Sequence, residues 1–198
     1  MKTKQKIKGN SLKESAVFLK NAIFKPKEIA YVFPSSRALI RSIAIRSGLS
    51  EAKKIIELGP GTGGTTKGIL SEMREDAKLC AVEINKNFVE FIKKNIPDER
   101  LSVCHDGAQN LAEIIKQQGW QHADVIISGI PFSTLPKGMG EEIMQSIYEN
   151  IRPSGLFVAY QFRDRVGKLA TPVFGEPSSY LEIKNLPPMR IYVWQKSE

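Results

Sequence analysis

KKIIELGPGTGGTT, residues 53–66, decides the fold. The run KKIIEL (53–58) is short, apolar and rich in isoleucine, the pattern of a strand buried on both faces. Glycines follow on alternate residues, Gly59, Gly61 and Gly63, with Pro60 and Thr62 between them. Such a turn brings backbone close to a ligand, because glycine has no Cβ to keep it away. A helical pattern then takes over from Thr65 to Met73. Strand, glycine turn and helix in that order open a βαβ unit.

The alternation continues toward the C-terminus. KLCAVE (78–83), LSVC (101–104), DVIIS (124–128) and LFVAYQF (156–162) read as strands. Helices are expected over Thr65–Met73, Lys86–Asn95, Ala108–Gln118 and Gly140–Ile151. Alternating elements of this kind predict a parallel sheet with helices on both faces. The last two strands, in YLEIKN (180–185) and RIYVW (190–194), are separated only by Leu186, Pro187, Pro188 and Met189. So short a link cannot hold a crossover helix, so this pair should be antiparallel. The expected fold is α/β, a Rossmann-like sheet, mostly parallel with an antiparallel C-terminal pair, plus N-terminal helices.

Toward the N-terminus the character changes. Residues 1–50 hold eight Lys and three Arg against Glu14 and Glu28, a net +9, whereas the whole chain carries +8, so residues 51–198 together carry −1. Residues 1–10 read as a basic leader. Ser11 and Glu14 then have the spacing of a capping box. Leu12, Ala16, Leu19 and Ile23 form one helical stripe flanked by Lys13 and Lys20. A basic amphipathic helix can dock on an anionic membrane surface or pack on the domain. Residues 34–49 read as another helix, ended at Gly48. The chain is therefore expected to divide into a basic helical segment, 1–50, that binds membrane or caps the substrate, and a ligand-binding domain, 51–198. No run of about 18 apolar residues is present, so no span of a bilayer is expected. Cys80 and Cys104 both fall in strand-like runs and read as free thiols, which suits a reducing cytoplasm.

The chemistry gathers around the glycine turn. Glu83 lies twenty-four residues beyond Gly59, at the end of the second strand. A carboxylate there can accept from both ribose hydroxyls of an adenosine. No GK[ST] follows the glycines at the spacing of a phosphate-binding loop, so phosphoryl transfer is poorly supported. An acidic residue before the glycines, here Glu57, suits S-adenosylmethionine, whose methionine part packs on the turn. Asp106, after the third strand, is placed either to reach the adenine amino group or to cap the helix from Ala108. His105 and His122 have no metal-ligand spacing with either cysteine, and no metal is expected. The fourth strand runs into SGIPF (128–132), which should border the transferred methyl. Enzymes that methylate adenine or glutamine often have [DNS]PP[YF] here, which grips a planar amino group between a side-chain oxygen and a backbone carbonyl. Gly129 and Ile130 replace its central residues.

Several stretches together resemble the bacterial phospholipid N-methyltransferases, which act on phosphatidylethanolamine: VFPSSRAL (32–39), IIELGPGTGGTT (55–66), AVEIN (81–85), SGIPF and NLPPMRIYVW (185–194). The glycine turn is also similar to that of ribosomal RNA adenine dimethyltransferases. The resemblance implies a class I methyltransferase that converts phosphatidylethanolamine stepwise towards phosphatidylcholine, releasing S-adenosylhomocysteine, at the inner face of the plasma membrane and without a metal. The cofactor set it implies is Glu57, Gly59, Pro60, Gly61, Thr62, Gly63, Thr65, Thr66, Glu83, Ile84, Asp106, Gly107, Ala108, Ser128 and Gly129. Tyr31, Tyr160 and Asp164 are the candidate proton acceptors. Phe132, Tyr160 and Phe162 would wall a methylated ammonium, and Arg37, Arg163 and Arg165 would hold a lipid phosphate. One departure stands out: the family's Thr-Tyr-Gly-like run after the fifth strand is Gln161, Phe162 and Arg163 here. Other substrates consistent with the sequence are another amine lipid, such as ornithine lipid, and adenine in RNA. RNA enzymes usually carry a further C-terminal helical domain, which is not expected after Trp194, so nucleic acid is not the expected partner.

Overall fold

The computed structural model describes residues 36–198. The basic leader, the amphipathic helix expected over residues 11–23, and Tyr31 lie outside them. Pro34–Glu198 forms one compact unit.

The sheet begins with β1 (Lys54–Leu58), whose successive residues Ile55 and Ile56 are both fully buried, on opposite faces. Four more strands follow its lead: β2 (Lys78–Glu83), β3 (Leu101–His105), β4 (Ala123–Ser128) and β5 (Ile151–Gln161). The chain ends in β6 (Ser178–Glu182) and β7 (Met189–Gln195). Together they form one seven-stranded sheet in the order β3-β2-β1-β4-β5-β7-β6. The first five are mutually parallel, and β7 runs antiparallel to both β5 and β6. Leu58 pairs with Val82 and Ser128, and Ser128 pairs with Ala159. The carboxyl ends of β1, β2, β4 and β5 are therefore level, and ligand sites of open α/β sheets form at that edge.

Six helices clothe the sheet among the described residues: α1 (Arg37–Ser47), α2 (Gly64–Glu72), α3 (Lys86–Asn95), α4 (Leu111–Gln117), α5 (Met139–Asn150) and α6 (Arg165–Phe174). α1 starts where the Ser36 hydroxyl accepts from the Leu39 amide at 3.1 Å and stops at Gly48, φ +62°. Its Leu39 and Ile43 join a core with Ile55, Leu79, Ile127 and Val158 on one face of the sheet. Although α1 falls within the segment 1–50 that the sequence set apart, it belongs with the sheet. The opposite face buries Ile56, Leu58, Val82, Ile114, Ile126 and Phe157. There Trp194 stacks between Phe157 and Tyr192, with ring centroids 5.2 and 5.6 Å away. Cys80 and Cys104 are free thiols, their sulfurs 3.4 Å apart across β2 and β3.

Three elements differ from expectation. α6 was not anticipated, because Gly167 and Pro172 interrupt its helical pattern. β5 begins at Ile151, five residues before the expected Leu156, and passes through Arg152, Pro153 and Ser154, the last at φ +58°. A shift of register beside Ala123 absorbs this irregularity. β6 begins at Ser178 rather than Tyr180.

Candidate active site

The glycine turn is held in a conformation that only glycine adopts readily. Gly59, Gly61 and Gly63 have φ of +70°, +57° and +81°. A Cβ on Gly59 would stand 3.1 Å from Ile130 Cγ1, so the turn abuts the SGIPF loop closely. The Gly59 amide donates to Val82 O at 2.9 Å, and the Gly129 amide donates to Leu58 O at 2.9 Å. These bonds lock both loops onto the carboxyl ends of the strands.

Two buried carboxylates face this turn. Glu83 accepts from the Gly61 amide at 3.0 Å on Oε2 and from the Asn85 amide at 2.8 Å on Oε1. Burial pushes its pKa up, while these backbone bonds pull it back. Each oxygen keeps a lone pair for a ribose hydroxyl. Sequence reasoning gave Glu83 one role; the structure adds that the same side chain shapes the turn.

Glu57 is completely buried. The Thr66 hydroxyl donates to its Oε2 at 2.6 Å, but Oε1 is buried without a partner among the described residues. Burial raises its pKa from 4.5 to about 7; Thr66 opposes the shift and the charge of Glu83 adds to it. A buried unsatisfied carboxylate oxygen is costly, and a cationic group at the turn would relieve that cost. The α-ammonium of S-adenosylmethionine is such a group. The residues present therefore fit that cofactor: Glu57 for the ammonium, the glycine turn for the methionine chain and Glu83 for the ribose.

Asp106 is partly committed elsewhere. Its Oδ1 accepts from the Gly107 amide and from Asn110 Nδ2, both at 2.7 Å, which ties it to the 3₁₀ turn Ala108–Asn110, whose N-cap is Gly107. The capping expectation is not met as such, because Gly107 takes the N-cap position and Asp106 bonds the side chain of Asn110 instead. His105 Nε2 lies 3.0 Å from Ile84 O, which fixes the chain beside Glu83.

β5 and the SGIPF loop, expected to border the transferred methyl, stand beside the turn. The Tyr160 hydroxyl donates to Thr65 Oγ1 at 3.2 Å, and a Cβ on Gly129 would collide with it. Burial and the charge of Glu57 raise the Tyr160 pKa far above its ordinary range. Tyr160 therefore stays protonated and can orient an amine, but cannot take its proton at neutral pH. Ser128 Oγ accepts from the Ile130 amide at 3.2 Å. Ile130 O accepts from Gln161 Nε2 at 2.7 Å, and Gln161 is only 2% exposed. Sequence reasoning noted Gln161 only as a departure. Its signal was a polar residue at the end of an apolar strand.

The remaining expected residues are scattered. Pro60, Thr65 and Thr66 are buried beside the turn, Ile84 is half-buried, and Thr62 is exposed. Phe132 is 2% exposed and packs in the core rather than walling an open pocket. Asp164 Oδ1 accepts from the Tyr192 hydroxyl at 2.6 Å. Arg165 lies 3.8 Å from Glu141 in an exposed ion pair. Arg37, Phe162 and Arg163 are exposed. The structure thus unites Glu57, Glu83, Tyr160, the glycine turn and the SGIPF loop, and leaves the arginines outside that cluster.

A seven-stranded sheet of this order, with a glycine turn between buried carboxylates, defines a class I S-adenosylmethionine-dependent methyltransferase. The sequence matches the model for ribosomal RNA adenine dimethylase over residues 27–167, and the chain belongs to that family. It is 26% identical over 183 residues to the ornithine lipid N-methyltransferase of Singulisphaera acidiphila, covering 91% of this chain and 95% of that protein. It is also 26% identical over 165 residues to ribosomal RNA small subunit methyltransferase A of Malacoplasma penetrans, covering 83% of this chain but 57% of that one. Among solved structures, the N-methyltransferase NodS of Bradyrhizobium japonicum shares the fold at a TM-score of 0.63 and 9% identity, over 82% of this chain and 94% of that one. Human N-acetylserotonin methyltransferase, solved with its cofactor, matches at a TM-score of 0.60 and 15% identity, over 80% of this chain and 52% of that one.

Proposed function

We propose that the protein transfers methyl groups to the primary amine of a membrane lipid, phosphatidylethanolamine or ornithine lipid, at an anionic membrane surface. The observation that carries this reading is the state of the SGIPF loop. A planar base edge needs a free side-chain oxygen and a free carbonyl; Ile130 O already accepts from both Gln161 Nε2 and the Phe132 amide, and Ser128 Oγ, which accepts from the Ile130 amide, has a single lone pair left. Gly129 adds no side chain in their place, and Tyr160 fills that space with a single hydroxyl. One hydroxyl suits a tetrahedral amine better than a flat nucleobase. The near end-to-end likeness to an ornithine lipid N-methyltransferase supports the same reading.

When bound, S-adenosylmethionine supplies an electrophilic methyl for in-line displacement. The chain's own contribution is mostly positioning, which can account for a large share of such a rate. Glu57 and Glu83 fix the two ends of the donor, and Thr65 holds the Tyr160 hydroxyl so that its oxygen accepts from an amine N–H. Gln161 keeps the loop still. The test is incubation with label in the donor methyl and either phosphatidylethanolamine vesicles, ornithine-lipid vesicles or small-subunit ribosomal RNA. Label in a lipid fraction is expected; label confined to RNA overturns the proposal.

A further inference from the structure

The connection between β6 and β7 stands at the same edge of the sheet as the glycine turn. Gln161, the last residue of β5, pairs with Arg190 near the start of β7, and Met189 pairs with Glu182 at the end of β6. The turn over residues 183–188 is therefore level with the carboxyl ends of the parallel strands. It carries the most exposed large apolar side chains of the described residues: Leu186 is 80% and Ile183 70% exposed, beside Leu181 at 57%. Phe162, one residue past β5 at this edge, is 54% exposed. Scattered exposed apolar residues need no explanation, but four at one edge mark a contact surface.

This surface is held in place and is cationic. Asn185, 7% exposed, donates from Nδ2 to Pro187 O at 2.8 Å and accepts on Oδ1 from the Ser36 amide at 2.9 Å, so the turn is tied to the start of α1. Arg163, Lys184 and Arg190 are exposed around it, and none forms an ion pair with another described residue. Against these three cations stand two carboxylates, Asp164, which accepts from the Tyr192 hydroxyl, and Glu182, which accepts from the Lys184 amide at 2.9 Å, so the rim carries a net charge of +1. Apolar side chains in a rim of net positive charge match the boundary between acyl chains and anionic headgroups. Three of the four apolar side chains, Leu181, Ile183 and Leu186, are aliphatic and offer no plane on which an RNA base could stack.

We propose that the β6–β7 turn and Phe162 are the surface on which the body of the enzyme docks to an anionic lipid bilayer, with the donor pocket facing the membrane. This deepens the lipid-amine reading and rests on it for the reason that such docking matters: an amine lipid could then reach Tyr160 without leaving the bilayer.

The test uses the full-length chain carrying Leu186→Trp, with Gln117→Trp at the end of α4, on the opposite edge, as control. Each is mixed with phosphatidylglycerol vesicles containing lipid brominated on the acyl chains, which quenches tryptophan only on contact. Because the basic N-terminal segment can itself bring the protein to vesicles, quenching rather than co-sedimentation is read. Emission added at position 186 should shift to the blue and be quenched well beyond that at 117. Equal quenching at the two sites overturns the proposal. So does a blue shift at 186 that appears without vesicles and grows with protein concentration, which would assign the surface to a second copy. The Ile183→Glu/Leu186→Glu double variant should bind vesicles roughly tenfold more weakly while S-adenosylhomocysteine binding, measured calorimetrically, stays intact and reports folding; unchanged vesicle affinity counts against the surface. Quenching at 186 without methyl transfer to any lipid keeps this surface and refutes the lipid-amine reading. Lipid methylation without that quenching does the reverse.

Discussion

Replacing Glu57 with glutamine should change how stability depends on pH. In the folded protein the Glu57 pKa is raised from 4.5 to about 7, chiefly by burial. A group that holds its proton more tightly when folded favours the native state fully below its unfolded pKa. That advantage is lost as pH rises, and above about 7 the burial of the ionised group is a constant penalty. The gap between the two pKa values corresponds to roughly 3 kcal/mol. Glutamine has the same shape, keeps an acceptor for Thr66 and never ionises. At pH 4 the two proteins should therefore differ only by the local change in hydrogen bonding. By pH 8 the variant should have gained roughly 3 kcal/mol relative to wild type, or about 6–12 °C in Tm for a chain of this size. The assay is urea denaturation and thermal melting of protein stripped of bound nucleoside, at half-unit steps between those limits. Saturating S-adenosylhomocysteine should narrow the gap at pH 8, because its ammonium gives Glu57 Oε1 a partner. A difference that stays constant from pH 4 to pH 8 would show that Glu57 is not a buried, unrelieved acid, and the argument for its ligand would fail.

Other outcomes follow from the same contacts. Tyr160→Phe should lower kcat by about ten- to a hundredfold and leave the calorimetric affinity for S-adenosylhomocysteine nearly unchanged, since the hydroxyl faces the amine side. Gly59→Ala, forced to φ +70° and into Ile130, should cost about 1–2 kcal/mol in urea denaturation and weaken donor binding as well. Gln161→Leu removes the 2.7 Å donor to the Ile130 carbonyl, which keeps only the Phe132 amide at 2.9 Å; a loss of about 0.5–1.5 kcal/mol in the same measurement is expected, with a lower kcat as the loop loosens.

How much of this could be read from residues alone depended on the length scale. The βαβ alternation was legible because buried parallel strands are short and almost wholly apolar, and the four-residue link before RIYVW excluded a crossover. α6 was hidden because Gly167 and Pro172 are poor helix formers and packing on Tyr192 and the core outweighs them. The early start of β5 was hidden because Arg152, Pro153, Ser154 and Gly155 have turn chemistry, and only the sheet register shows that the chain stays extended there. At the site, Glu57, Glu83 and the glycine turn were legible because they are close in sequence and their spacing carries a mechanism. The roles of Gln161 and Asn185 were not: each depends on one long-range hydrogen bond, to Ile130 and to Ser36, and local pattern does not encode such a bond. The pairing of Arg165 with Glu141 was not legible either, since the two are distant in sequence.

The pocket formed by the glycine turn, Glu57 and Glu83 is tested most directly by titrating S-adenosylhomocysteine into the stripped protein in a calorimeter, with Glu83→Gln alongside. Wild type should give saturable heat at one site per chain, and the variant should bind roughly tenfold or more weakly, having lost a charged acceptor. No heat from wild type, or equal affinity in the variant, would contradict the assignment of this pocket.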